Sequence, residues 1–178
     1  ALLEPLPVCG EVVIDIAVSD HVCAVLEGGR VRCWGNNDHT QTGISRILSE
    51  TEGSLLWIGD EYPDFDLIED LKMPWGTTGT TRVFAGVGTS CALSEDGEFF
   101  CWGRYPGFDT CAFAGPTSMA CSYPSIPGIY DLAFFDEPLD LPEAVVEAFL
   151  AWDVCIVLQG GGVRCWGSSS ENELGSVD

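Results

Sequence analysis

Positive charge is what this sequence has least of: seven Lys and Arg residues stand against 28 Asp and Glu, a formal net charge of −21 at pH 7. So acidic a chain repels phosphate backbones and anionic headgroups, which argues against nucleic acid and membrane surfaces as partners. Long apolar runs are also missing, and nothing approaches the ~20 consecutive residues that span a bilayer as a helix. The first residues, Ala1-Leu-Leu-Glu-Pro-Leu-Pro7, lack the basic start and long apolar core of a secretory signal, so the chain reads as a mature product. No Asn-x-Ser/Thr acceptor occurs, nor a nucleophile elbow, a phosphate loop or a zinc-protease helix. Histidine is limited to His21 and His39. The groups for acid–base or nucleophilic chemistry are thus few and no cofactor is expected. A glycoside hydrolase would need the fold to bring two carboxylates together, and no spacing here points to that.

What the chain has in plenty is cysteine in a repeated frame, nine in all. Segments 23–35, 91–103 and 155–167 are copies of one unit, with a second cysteine ten residues after the first, a glycine six after it and Trp-Gly at the close. The shared glycines are Gly29, Gly97 and Gly161, and the shared tryptophans are Trp34, Trp102 and Trp166. If each unit is a hairpin with a three-residue loop ending in glycine, a left-handed position where glycine costs least, the cysteines stand opposite each other. That register pairs Cys23 with Cys33, Cys91 with Cys101 and Cys155 with Cys165. It also sets Val25 against Val31, Leu93 against Phe99 and Val157 against Val163, giving one apolar face and one that alternates polar with aromatic or aliphatic residues. Cross-strand disulfides follow, each worth on the order of 2–3 kcal/mol through the unfolded state. Zinc ligation is the alternative, but zinc ligands typically come as Cys-x-x-Cys or Cys/His sets. Disulfides at this density place the protein in an oxidising compartment, so it is expected to be extracellular, secreted or at the cell surface.

These residues resemble the repeats of the regulator of chromosome condensation type, in a cysteine-paired secreted form. Such repeats carry a small-residue strand, His-Thr-x-Ala-Leu, a turn ending in Gly and a strand ending in Trp-Gly, followed by a Gly-Gln-Leu-Gly-like close. Here Asp20-His21-Val22-Cys23-Ala24-Val25, the stretch 86–93 and Asp153-Val154-Cys155-Ile156-Val157 match the first part, and Gln41-Thr42-Gly43 and Glu173-Leu174-Gly175 match the close. The match covers about half the chain. His21 occupies a position held by Thr89 and Asp153 in the other units, which favours a structural role for it over catalysis. The fold implied is all-β: three propeller-like blades, antiparallel hairpin modules with cross-strand disulfides and long connecting loops, forming an open arc or part of a larger propeller. The tryptophans, at one position in every unit, are expected to serve the shared core.

Residues 1–178 are read as a single repeat domain with modules at about 8–45, 73–110 and 141–178. Segment 46–72 is an acidic connection whose Asp60, Asp64 and Asp66 are weak calcium candidates lacking EF-hand order; a solvated loop is the plainer reading. Segment 111–140 is a Cys-containing insertion in which Cys111 and Cys121 flank the turn signal Gly115-Pro116, so a fourth local disulfide is expected. Residues 142–152 look helical by propensity, but the repeat register makes them the leading strand of the third module.

Three blades leave an open arc with exposed edges, whereas closed propellers use four to eight. The lead around Leu6-Pro7-Val8 resembles the Pro-containing segments at Pro74 and Pro142 that precede the later modules, and no such segment follows the third. The lead of one copy is therefore expected to complete the last blade of another, with Cys9 able to lock the contact. The alternatives are a fragment of a longer propeller, or a lead folded back with Cys9 on Cys111 or Cys121. The expected function is that of a non-catalytic extracellular interaction or structural protein that self-assembles into a filament, ring or surface layer, with another extracellular protein as a further partner. A secreted inhibitor or binding protein presenting a propeller face to an enzyme or receptor is the second reading, and a secreted hydrolase the third.

Overall fold

Each repeat unit becomes an antiparallel sheet because its turn glycine lets the chain reverse in register. In the computed structural model, residues 10–43, 57–58, 68–103, 111–113, 119–121 and 139–166 are described. The first sheet contains β1 (Val13–Val18), β2 (His21–Leu26), β3 (Arg30–Asn36) and β4 (Trp57–Ile58) in that order. The second contains β5 (Thr80–Ala85), β6 (Thr89–Ser94) and β7 (Phe99–Gly103). A separate hairpin pairs β8 (Cys111–Phe113) with β9 (Met119–Cys121), and the third module contains β10 (Val145–Leu150), β11 (Val154–Leu158) and β12 (Val163–Trp166). The described residues contain no helix.

The hairpin register matches the spacing argument pair by pair. Cys23 faces Cys33 and Val25 faces Val31; Cys91 faces Cys101 and Leu93 faces Phe99; Cys155 faces Cys165 and Val157 faces Val163. In the middle unit the Ser94 amide donates to the Glu98 carbonyl, leaving Glu95, Asp96 and Gly97 as the loop, with Gly97 at φ 82°. The three disulfides are formed, with Cα atoms 4.1, 4.0 and 4.1 Å apart. Cys111 stands opposite Cys121 in the β8–β9 register.

One expectation is revised. The acidic connection is not purely a loop, since Trp57–Ile58 within it pairs with Gly35 and Asn36 as β4 and widens the first sheet to four strands. Every residue of β6 and β7 is buried. The sheets stack, so the middle module is covered on both faces and its second face, with Ala92, Phe100 and Trp102, is as apolar as the first. Over residues 142–152 the register prevails over helical propensity: Val145–Leu150 is a strand paired with β11. Tertiary pairing decides there, since propensity separates the alternatives by only a few tenths of a kcal/mol per residue.

Two cores hold the stack. Cys23, Val25, Val31 and Cys33 of the first module meet Val83, Ala92, Phe100 and Trp102 of the second, with Leu71 and Met73 at the rim. Phe84, Cys91, Leu93, Phe99 and Cys101 of the second then meet Val145, Ala148, Val154, Ile156 and Trp166 of the third. The rule is one of translation: the cysteine face of each module packs on the tryptophan face of the next.

Candidate interaction faces and a buried polar joint

The first joint contains a polar chain at the start of β2. His21 Nδ1 donates to Asp20 Oδ1 at 2.8 Å, and His21 Nε2 lies 2.5 Å from Ser90 Oγ on β6 of the next module. Ser90 Oγ is also 2.7 Å from the Gln41 carbonyl, which accepts the Trp102 indole N–H at 2.8 Å. The Asp20 carboxylate accepts further bonds from the Gly88 amide, Asn36 Nδ2 and Gln41 Nε2. Asp, His and Ser in this order have the connectivity of a hydrolytic triad. Both His21 and Ser90 are buried, however, and Ser90 is enclosed by Cys23, Gln41 and His21, so no substrate carbonyl reaches its hydroxyl. The arrangement joins two blades.

Burial pulls the His21 imidazole below its usual range, more strongly than the Asp20 bond and charge lift it. For Asp20, burial pushes upward, but the bonds from His21 and the Gly88 amide and the attraction of His21 together leave it below the ordinary carboxylate range. At neutral pH the imidazole is therefore uncharged, with its proton on Nδ1. Ser90 then has one proton for two acceptors, Nε2 at 2.5 Å and the Gln41 carbonyl at 2.7 Å, and that carbonyl also accepts from the Trp102 indole N–H.

A second cross-module feature is a charge ladder. Asp15, Arg82 and Glu147 occupy the same place in β1, β5 and β10. Asp15 Oδ2 accepts from the Val83 amide at 2.8 Å and attracts Arg82, while Arg82 Nη1 lies 2.8 Å from Glu147 Oε1. The Glu147 carboxyl is held below its usual range, first by its bond from Arg82. The turn glycines mark the same joints. The Gly29 carbonyl accepts from Thr80 of the second module and the Gly97 carbonyl from Val145 of the third. A Cβ at Gly29 would run into Gly79 and Thr80 and one at Gly97 would lie 2.5 Å from the Ala144 Cβ, whereas one at Gly161 would meet nothing within 4 Å.

The end faces are open at some positions that are closed inside and covered at others, since Ala24 and Trp34 of the first module are buried beside Ile68. Phe149 is 63% exposed where its counterpart Phe84 is 7%, and Val163 is 64% exposed where Val31 and Phe99 are 1% and 0%. At the other end Ile16 is 55% exposed where Val83 is 4%. Among the described residues every exposed large hydrophobic lies on β1 or its approach (Val12, Ile14, Ile16, Val18) or on the third module (Val146, Phe149, Trp152, Val163).

Trp34, Trp102 and Trp166 are all buried in the cores. Cys9, Asp60, Asp64 and Asp66 lie outside the described residues, among which no group of three or more His, Cys, Asp or Glu side chains is arranged to hold a metal ion. No helix among them is long and apolar enough to cross a membrane. The ladder Asp15–Arg82–Glu147 was not singled out in the sequence, and Ser90 and Gln41 stood there only as members of repeat motifs, with no role at a joint. The repeat alignment aligns the ladder positions, but without knowing which faces meet it cannot tell a joint from a solvated stripe.

Comparison with known proteins agrees with this geometry. Residues 16–41 and 81–104 match the family model for the regulator of chromosome condensation (RCC1) repeat. Protein pim1 of Schizosaccharomyces pombe is 30% identical over 90 residues, covering 50% of this chain and 16% of its own length. Among solved structures, yeast RCC1 (Prp20) bound to Kap60 superposes with a TM-score of 0.61 at 20% identity over 93% of this chain, and human WBSCR16 with 0.56 at 20% identity over 94%. Another structure of Prp20p, from Saccharomyces cerevisiae and described with its binding to Gsp1p and histones, gives a TM-score of 0.55 at 21% identity over 93% of this chain. This chain spans only 34–37% of the length of these structures. Segments 16–41 and 81–104 are accordingly similar to repeats of the regulator of chromosome condensation type, and the chain shares the propeller-blade fold of these structures.

Proposed function

We propose that the chain is a non-catalytic, extracellular interaction module that assembles with copies of itself by adding blade upon blade. The observation that carries this reading is that the exposed large hydrophobics among the described residues lie on β1 or its approach and on the third module, and that three of them, Ile16, Phe149 and Val163, have counterparts buried in the internal joints. Contiguous apolar surface of this kind marks a binding site, and both halves of the joint are present on one chain, which makes a head-to-tail contact self-complementary between copies. Similar structures are of proteins described with protein partners, Kap60 for one and Gsp1p and histones for another, which supports interaction as the general role. The disulfides support an oxidising, extracellular setting. Strand exchange by the lead, with Cys9 as a covalent lock, is a further part of this proposal.

The test is sedimentation velocity of the intact chain over a concentration series, beside Val163→Asp and Phe149→Asp. The wild type should associate with rising concentration and both variants should stay monomeric with unchanged circular dichroism. A wild-type chain that is monomeric at every concentration would refute the proposal.

A further inference from the structure

Which residues meet in such a contact follows from the repetition of the two joints already present, and this step rests on the head-to-tail reading above. Carried one module further, the turn at Gly161 takes the backbone around Val13 of the next copy, as Gly29 takes Thr80 and Gly97 takes Val145. Phe149 and Val163 cover Ile16 of that copy, as the cysteine face of the first module covers Val83. The ladder is carried along as well. Within the chain its signs alternate, Asp15 to Arg82 to Glu147, so each internal joint sets opposite charges together. Between copies the order brings Glu147 against Asp15, carboxylate against carboxylate.

We infer that the end-to-end contact between copies is gated by protons at this pair, weak when both carboxylates are charged and strengthened when they share a proton. Arg82 offsets the repulsion only in part, because its one charge is shared between the Asp15 and the Glu147 of its own chain. Arg82 on β5 is already engaged by the Glu147 of its own chain, and the incoming Asp15 has an Arg82 of its own that is engaged in the same way. On the incoming face, Arg30 and Arg32 are held by Glu11 and Asp70. Two close carboxylates titrate as a unit and retain one proton well above the pH at which either would alone. The assembled state therefore binds more protons than the free chains in the carboxylate range. By linkage, association tightens as pH falls, by about tenfold per pH unit for one proton per contact, over roughly pH 6 to 4.

The experiment is sedimentation of the full chain at fixed ionic strength from pH 7.5 to 4.5, comparing wild type, Asp15→Asn, Glu147→Gln, the double variant and Val163→Asp. Both amides keep an acceptor oxygen toward Val83 and Arg82, so those hydrogen bonds remain possible while the Arg82–Glu147 ion pair is lost. Titration of the remaining acidic groups is common to every sample and cancels in the comparison. The double variant should associate more tightly than wild type at pH 7.5, by about fivefold to tenfold for removal of one screened like-charge contact. It should also lose about one proton's worth of pH slope, while Val163→Asp abolishes association at every pH. Parallel pH profiles for wild type and the double variant would overturn the proton gate while leaving head-to-tail association standing, provided Val163→Asp is monomeric. Association that survives Val163→Asp would overturn both.

Discussion

Replacing Ser90 by Ala removes one hydroxyl from a fully buried position and isolates what the polar joint contributes. At pH 7.5 the His21 Nδ1 proton stays on the ring and is donated to Asp20, so loss of Ser90 Oγ leaves Nε2, 2.5 Å away in the native chain, with no donor. The Gln41 carbonyl loses little, because the Trp102 indole N–H still donates to it at 2.8 Å. One buried acceptor is therefore orphaned, which costs about 1–3 kcal/mol. The cavity left by a single oxygen is small, so the packing part of the change is minor. Urea unfolding followed by fluorescence at concentrations where the chain is monomeric gives the difference directly, as a lower midpoint at unchanged slope. A variant within about 0.5 kcal/mol of wild type would refute the hydrogen-bond assignment. Unchanged stability together with loss of a hydrolytic activity found in the wild type would turn Ser90 from a joint residue into a nucleophile.

Three further outcomes are expected. Changing Cys91 and Cys101 together to Ser should lower stability by at least about 2–3 kcal/mol, since the bond closes a short loop at the centre of the stack. Non-reducing peptide mapping should recover 23–33, 91–101 and 155–165 as the linked pairs; bonds between modules would contradict the register. Stability of the monomer should fall as pH drops below about 6.5, because the folded His21 is depressed below that value and the unfolded chain takes up the proton first. It should fall again through the carboxylate range, where Asp20 is depressed from 3.8. Unfolding midpoints measured from pH 8 to 3 test this, and a rise in stability between pH 7.5 and 5.5 would contradict a neutral buried His21.

The hairpins were legible in the sequence because turn, pairing and disulfide impose one arithmetic: a glycine needing positive φ, a period of two, and cysteines that meet only in a single register. Residues 145–150 were legible for the same reason, the repeat register outweighing a run of helix formers. What could not be read was which surface each sheet turns to its neighbour. Phe100 and Trp102 look like an alternating outer face until the first module is laid against them, and His21 meets Ser90 across 69 positions of sequence by stacking alone. The pairing of Trp57–Ile58 with β3 escaped for a different reason: two residues within an acidic connection carry too little pattern to mark a strand.

In the head-to-tail assembly proposed above, protonation would act on the two kinds of joint with opposite sign, and this would set where assembly is strongest. Inside the chain, acid weakens the first joint, because a charged His21 must be accommodated between Asp20 and a buried serine. Between chains, acid removes the repulsion of Glu147 and Asp15. The first effect begins near the ordinary imidazole range and the second in the carboxylate range, so assembly grows in mildly acidic solution on a fold already somewhat loosened. Association in turn stabilises the folded state by mass action, in proportion to the logarithm of free protein over its dissociation constant. At high protein concentration the acid loss of stability is thereby offset, and at low concentration it is exposed. Stability below pH 6 therefore depends on concentration in the wild type and does not in Val163→Asp, whose exposed end face cannot close.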